Sequence, residues 1–248
     1  KPIVLLAFDE SEITSLPQER MNKSIDKVFI WSGNANLFPA VIKNFEDKMN
    51  FERDYKIADI RAIILVEDNP RYYSIILPLI YRTALLHARN LINKSLSDTD
   101  RLLLFRARPK IILVSSYEEA VKYYDDYRHN ILGFISDVRF PKNNELDDHA
   151  GIKLAEYIRK KDSDMPIILQ STNPHHNEDA NAINASFIHK KTSSLLQELE
   201  NFIVNNFGFG DFIFRNNRGK EISRASDLKS LKKSLNKIPD KTLQFHAS

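Results

Sequence analysis

Residues 131–141 read ILGFISDVRFP. A short, unbroken apolar run of this kind is a buried strand, and it ends on one carboxylate, Asp137, followed by Val138, Arg139 and Pro141. The pattern recurs on either side. Upstream, RAIILVEDN (61–69) ends on Glu67-Asp68 and KIILVS (110–115) ends on a serine. Downstream, PIILQST (166–172) ends on Ser171-Thr172 and SFIHKK (186–191) ends on Lys190-Lys191. Between the runs lie helical patterns at Pro70–Asn93, Tyr117–Tyr127, Gly151–Lys161 and Glu178–Asn184, with a second short helix at Asp98–Arg106 and a last one at Ser193–Phe207. Residues 140–150 read as a polar loop.

Strands that alternate with helices predict a parallel sheet covered on both faces, with right-handed crossovers. The fold class expected is α/β, a flavodoxin-like doubly wound five-stranded sheet of order 2-1-3-4-5. In that topology the carboxyl ends of the strands share one edge, where ligands bind. Glu67, Asp68, Asp137, Ser171 and Lys190 then converge. Three carboxylates in close proximity repel one another and call for a hard cation, for which oxygen ligands suit Mg²⁺. A hydroxyl and an ammonium on the same edge can hold the oxygens of a transferring phosphoryl group. Taken together this is a chemistry of metal-assisted phosphoryl transfer to a carboxylate.

The order acidic pair, Asp, Ser/Thr, Lys, each at a strand end, with Pro141 four residues after Asp137, resembles the receiver domain of two-component response regulators over about 150 residues. The resemblance implies that Asp137 accepts a phosphoryl group. It implies that Glu67, Asp68, Asp137 and the backbone carbonyl of Arg139 hold Mg²⁺, that Ser171, Thr172 and Lys190 surround the phosphoryl, and that Phe187 is the aromatic that switches with it. It implies a histidine kinase or small phosphodonor as partner. The chain departs from the pattern in four places: Lys191 replaces the usual proline, Thr172 replaces a small residue, the loop after Asp137 is long and carries Glu145, Asp147 and Asp148, and the segment from Asp68 to Lys110 is long. The alternatives are a pseudo-receiver that docks or dimerises without phosphorylation, and an Asp-nucleophile phosphatase, which would want an acid where Arg139 stands. The expectation is a regulatory domain rather than an enzyme.

Residues 57–207 are read as the receiver. Residues 1–56 resemble the fourth strand, fifth strand and last helix of a degenerate receiver, with strands at Ile3–Phe8 and Lys27–Trp31 and a helix over 38–49 whose apolar face is Phe38, Val41, Ile42 and Phe45. Ala7 takes the hydroxyl position there, and Trp31 or Ser32 the lysine position. The alternative is an extension of the main sheet. Residues 51–59 read as a linker. The Pro70–Asn93 helix is apolar on several faces, so a partner subunit or the N-terminal segment must cover it. An unpaired Ile3–Phe8 edge invites a homodimer. Residues 208–248 read as a hairpin around Asn216-Asn217-Arg218-Gly219 and a helix capped at Ser226-Asp227. They resemble the front end of bacterial phosphoenolpyruvate synthase or pyruvate, phosphate dikinase-like proteins, implying a downstream module in the same chain.

The chain has 248 residues, a net charge of +3 and no cysteine, which excludes disulfides and thiolate metal sites. No apolar run is long enough for a membrane helix, so a cytoplasmic setting is the default. The start at Lys1-Pro2 reads as a piece of a longer protein. His175-His176 is expected exposed in a loop, and His149 and His189 isolated. No helix-turn-helix follows the receiver, so no direct contact with nucleic acid is expected.

Overall fold

Ile, Leu and Val fill both faces of the first four runs because both faces are buried, whereas the last run, at the sheet edge, buries only Ile188. In the computed structural model the five runs form β3 (Ala62–Val66), β4 (Lys110–Val114), β5 (Ile131–Asp137), β8 (Ile167–Ser171) and β9 (Ser186–His189). All pair in parallel, in the order β4-β3-β5-β8-β9. This is the expected order for a flavodoxin-like doubly wound sheet. The structure describes residues 1–15, 24–93, 108–208, 212–215, 221–225 and 233. The helix expected at Asp98–Arg106, the turn at 216–219 and the capped helix from Ser226 lie outside them.

Alternate residues of each strand point to opposite faces. Ile63, Leu65, Ile111, Leu113, Ile135, Ile168 and Ile188 pack on the side of α3 (Pro70–Asn93) and α7 (Leu195–Asn206). Ile64, Val66, Ile112, Val114, Phe134 and Leu169 pack with α4 (Tyr117–Tyr127), α5 (Ala150–Arg159) and α6 (His176–Ala182).

The N-terminal residues form a separate two-stranded parallel sheet of β1 (Val4–Ala7) and β2 (Lys27–Ile30), so they do not extend the main sheet. A short α1 (Glu10–Ser15) follows β1, and α2 (Leu37–Ala58) follows β2. The geometry of β1–β2 repeats that of β8–β9. Trp31 N–H donates to the Ala7 carbonyl at 2.7 Å, and Lys190 N–H donates to the Ser171 carbonyl at 2.7 Å. Ala7 and Trp31 thus stand where the larger sheet has Ser171 and Lys190.

Two features of α2 differ from expectation. It runs unbroken through the segment read as a linker and stops at Asp59, whose left-handed backbone (φ 50°) ends the helix. Its buried face is Leu37, Ala40, Asn44, Asp47 and Phe51, whereas Phe38 and Ile42 are exposed. Periodicity pointed to another face because two of the buried positions are polar. The reason lies in what Asp47 touches. Fully buried, it accepts from Arg108 Nη2 at 2.7 Å and Nη1 at 3.0 Å, from Tyr81 Oη at 3.0 Å and from the Ile111 backbone N–H at 3.0 Å. Ile111 lies on β4, the outer strand of the sheet, so α2 clasps that edge. Phe51 anchors it further, edge-on to Tyr127 at 4.8 Å.

The long α3 is covered by the N-terminal segment. Phe29, Leu37 and Ala40 share a buried cluster with Tyr73, Leu77, Ile80 and Tyr81. Tyr73 Oη donates to the Val28 carbonyl, and Ile30 N–H donates to Ser74 Oγ at 2.9 Å. Burial of such side chains contributes roughly 1.5–3 kcal/mol each.

Residues 140–147, expected as loop, form a hairpin, β6 (Phe140–Lys142) against β7 (Glu145–Asp147). Asn143 and Asn144 both have positive φ (54° and 63°), the signature of a two-residue type I′ turn. The expected second hairpin is present as β10 (Phe212–Arg215) antiparallel to β11 (Glu221–Ala225). No cis peptide bond occurs among the described residues.

Candidate functional site

Because β3, β5, β8 and β9 are parallel, their last residues meet. Lys190 Nζ lies 2.6 Å from Glu67 Oε2 and 2.7 Å from Asp137 Oδ2, bridging the ends of β3 and β5. The Lys190 side chain is almost wholly buried, and the Tyr72 ring covers its ammonium at 4.0 Å from the centroid. One oxygen from each of Glu67, Asp68 and Asp137 lies within 4.8 Å of the others. Asp137 Oδ1 also accepts from Val138 N–H at 2.7 Å, and Glu67 Oε1 from Asn69 N–H at 3.2 Å.

The electrostatics follow from burial. Burial pushes Glu67 up to about 8, and neighbouring Asp137 adds to this against the pull of Lys190. Asp68 is raised too, first by burial and then by Asp137. Burial alone would lower Lys190, but Glu67 and Asp137 outweigh it and hold the ammonium up. The net picture is an ammonium shared between two carboxylates, of which buried Glu67 is the reluctant anion. An all-oxygen acidic set of this kind suits a hard cation such as Mg²⁺, and the residues present fit one.

Ser171 ends β8 beside them, buried. Its Oγ accepts from Asn173 N–H at 3.0 Å and sits 2.9 Å from His176 Nδ1. Thr172 is exposed, and its carbonyl lies 2.9 Å from His189 Nε2. Arg139 is exposed, with Nε 2.9 Å from Asp148 Oδ1. Asp147 pairs with Lys153 at 2.6 Å, so two of the loop's acids are held by cations. Phe187, on β9, is half-buried against the second helical layer and does not line the cleft. Asp68, Asp137, Arg139, Ser171, Thr172 and Lys190 open into one cleft of about 950 Å³, with Glu10 of the N-terminal segment at its wall.

Gly151 sets the approach of α5 to this edge. Its N–H donates to the Val138 carbonyl at 2.9 Å. A Cβ there would lie 2.2 Å from the Asp137 carbonyl oxygen and 2.8 Å from Val138 Cα, so only glycine lets the helix start against the loop that holds Asp137.

The histidines depart from expectation. His176 is buried and opens α6, rather than lying exposed in a loop, while His175 is exposed. His149 is not isolated, since its ring centroid is 5.4 Å from that of His176. Burial first, and then His149, hold the His176 imidazole below its usual pKa. The i, i+3 spacing of His176 and Asp179 was the available sequence signal, but the helix was expected to begin at Glu178.

No protein-family model matches the chain, and no curated protein matches it. Among solved structures, a response regulator receiver protein from Sinorhizobium medicae WSM419 is similar at 17% identity and a TM-score of 0.40, covering 60% of this chain and 96% of that one. Among the described residues no helix is long and apolar enough to cross a membrane.

Proposed function

We propose that this chain is a phosphoacceptor signalling domain of the response-regulator receiver type, with Asp137 as the acceptor. The observation that supports it is the Lys190 ammonium bridging Glu67 and Asp137 at 2.6 and 2.7 Å, with Asp68 in the same cluster. A phosphodonor, either a histidine kinase or a small acyl phosphate, enters the cleft. An Asp137 carboxylate oxygen forms the new O–P bond while the donor's P–N or P–O bond breaks and its electrons leave with the donor. Lys190 would neutralise a phosphoryl oxygen, and Ser171 and Thr172, which line the same cleft, would bind another. Glu67, Asp68, Asp137 and the Arg139 carbonyl would hold Mg²⁺, whose charge offsets that of the incoming phosphate.

Loss of the Lys190–Asp137 pair on phosphorylation, and reorganisation of Ser171, would shift the β8–β9 face on which half-buried Phe187 lies. The output would pass to a downstream module of the same chain, in keeping with the resemblance of residues 208–248 to the front ends of phosphoenolpyruvate synthase-like proteins. On this reading the chain is a cytoplasmic regulatory domain, not an enzyme, and it dimerises through the apolar edge of β1, where Ile3, Leu6 and Phe8 are exposed.

Intact-mass spectrometry after incubation with acetyl phosphate and Mg²⁺ tests the proposal. One phosphoryl adduct is expected on the parent and none on Asp137→Ala. Absence of an adduct on folded parent protein with several donors would refute phosphorylation and leave the docking-module reading.

A further inference from the structure

Next to the acidic cluster, and separate from it, His149, His176 and Asp179 bring one donor atom each to within 4.8 Å of one another. They come from three places: the residue before α5, the first residue of α6, and one turn further along α6. All three line the same cleft as Asp137. We propose that they form a second metal site, for a divalent transition ion of the Zn²⁺ class, distinct from the carboxylate set. The donor set decides the class. Two imidazoles and a carboxylate suit Zn²⁺ and its neighbours, whereas Mg²⁺ prefers oxygen alone.

The geometry is close to what such an ion needs. Bonds of about 2.1 Å to a tetrahedral ion place its donors about 3.4 Å apart. His149 and Asp179 are exposed and can close the remaining gap, at most about 1.4 Å, by rotation. His176 is the fixed member. It is buried, and its Nδ1 is 2.9 Å from Ser171 Oγ. A ligating histidine is ordinarily oriented by a hydrogen bond at its other nitrogen, and Ser171 supplies that bond here, leaving Nε2 for the ion. Three protein ligands leave a coordination position open toward the cleft.

The site has a consequence for Ser171, and this part rests on the reading of Ser171 as a phosphoryl-binding group. An ion on His176 Nε2 places the ring proton on Nδ1. Ser171 Oγ then accepts from both that proton and the Asn173 N–H. Its own hydroxyl proton is left to donate into the cleft, the direction a phosphoryl oxygen requires.

Calorimetric titration of the full chain with Zn²⁺ in the presence of excess Mg²⁺, which occupies the carboxylate set, and without any phosphodonor, tests the site. We expect one equivalent to bind the parent, affinity to fall at least tenfold in both His149→Ala and Asp179→Asn, and Asp68→Asn to stay within threefold of the parent. Both histidine-site variants change exposed side chains and leave the core intact. Co²⁺ in place of Zn²⁺ should give a visible absorption band that His149→Ala abolishes. No saturable binding by the parent, a fall of less than tenfold in either variant, or loss of binding in Asp68→Asn would each overturn the proposal. None of these outcomes depends on whether Asp137 accepts a phosphoryl group.

Discussion

Asp47→Ala is the substitution expected to do most damage for its size. It removes a fully buried carboxylate that neutralises Arg108 at 2.7 Å and also faces Lys110 at 3.4 Å. Breaking a buried ion pair from one side costs about 3–5 kcal/mol, because the surviving charge stays buried. The Ile111 N–H and the Tyr81 hydroxyl would also lose their acceptor. Each orphaned donor costs about 1–3 kcal/mol if water cannot reach it. These contributions overlap, and Lys110 keeps Asp54 at 2.9 Å, so the combined loss should be about 4–6 kcal/mol. That is a large part of the roughly 5–15 kcal/mol typical of a domain, and it corresponds to a fall in Tm of about 10 °C or more. Urea denaturation followed by far-UV circular dichroism measures it. The double variant Asp47→Leu/Arg108→Met, which removes both charges, should recover at least half of the loss. A loss below about 1 kcal/mol in Asp47→Ala would refute the argument that α2 is fastened to the sheet edge by this carboxylate.

Lys27 offers a pH test. Burial, and then the charge of Lys48, push its ammonium down from 10.5 to about 8, although it donates to Ser115 Oγ at 2.9 Å. Between pH 8 and 10.5 the unfolded chain binds the proton more tightly, so this residue's contribution to stability rises with pH across that window. Below pH 8 the buried ammonium costs about 3 kcal/mol at about 1.4 kcal/mol per pH unit. Lys27→Met should therefore stabilise the protein at pH 7 more than at pH 10, and equal effects in urea titrations at the two values would contradict this. Gly151→Ala should cost about 1–3 kcal/mol through overpacking. If the acidic cluster holds Mg²⁺ as proposed, the substitution should also weaken that binding by displacing the Asp137 loop, and Mg²⁺ affinity by calorimetry equal to the parent's would argue against that role.

The acidic cluster was legible in the sequence because parallel strands of one sheet all end at the same edge. An apolar run followed by Glu67-Asp68, Asp137 or Lys190 therefore carries its own coordinates. The histidine cluster was not legible, because His149 and His176 meet only through the loop before α5 and the placement of α6, which no local periodicity encodes. The buried face of α2 differs from the one its apolar periodicity marks, for a physical reason. Asn44 and Asp47 are core positions filled by polar residues, and Asp47 is tolerated there only because Arg108 and Tyr81 arrive from 61 and 34 residues away. The hairpin at 140–147 carries a weak sequence signal although Asn143-Asn144 is a good type I′ turn, since its strands have only three residues each.

The clasp of α2 over β4 also makes the sheet one-ended. A helix lies along one outer strand and takes up a backbone N–H there, so a foreign strand cannot add at that side. Among the described residues β9 pairs only with β8. Any growth of the five-stranded sheet into filaments, or exchange of strands between copies, has to start from β9. Charges placed on that strand, rather than anywhere near α2, would be the lever against growth of this sheet, as distinct from association at the β1 edge.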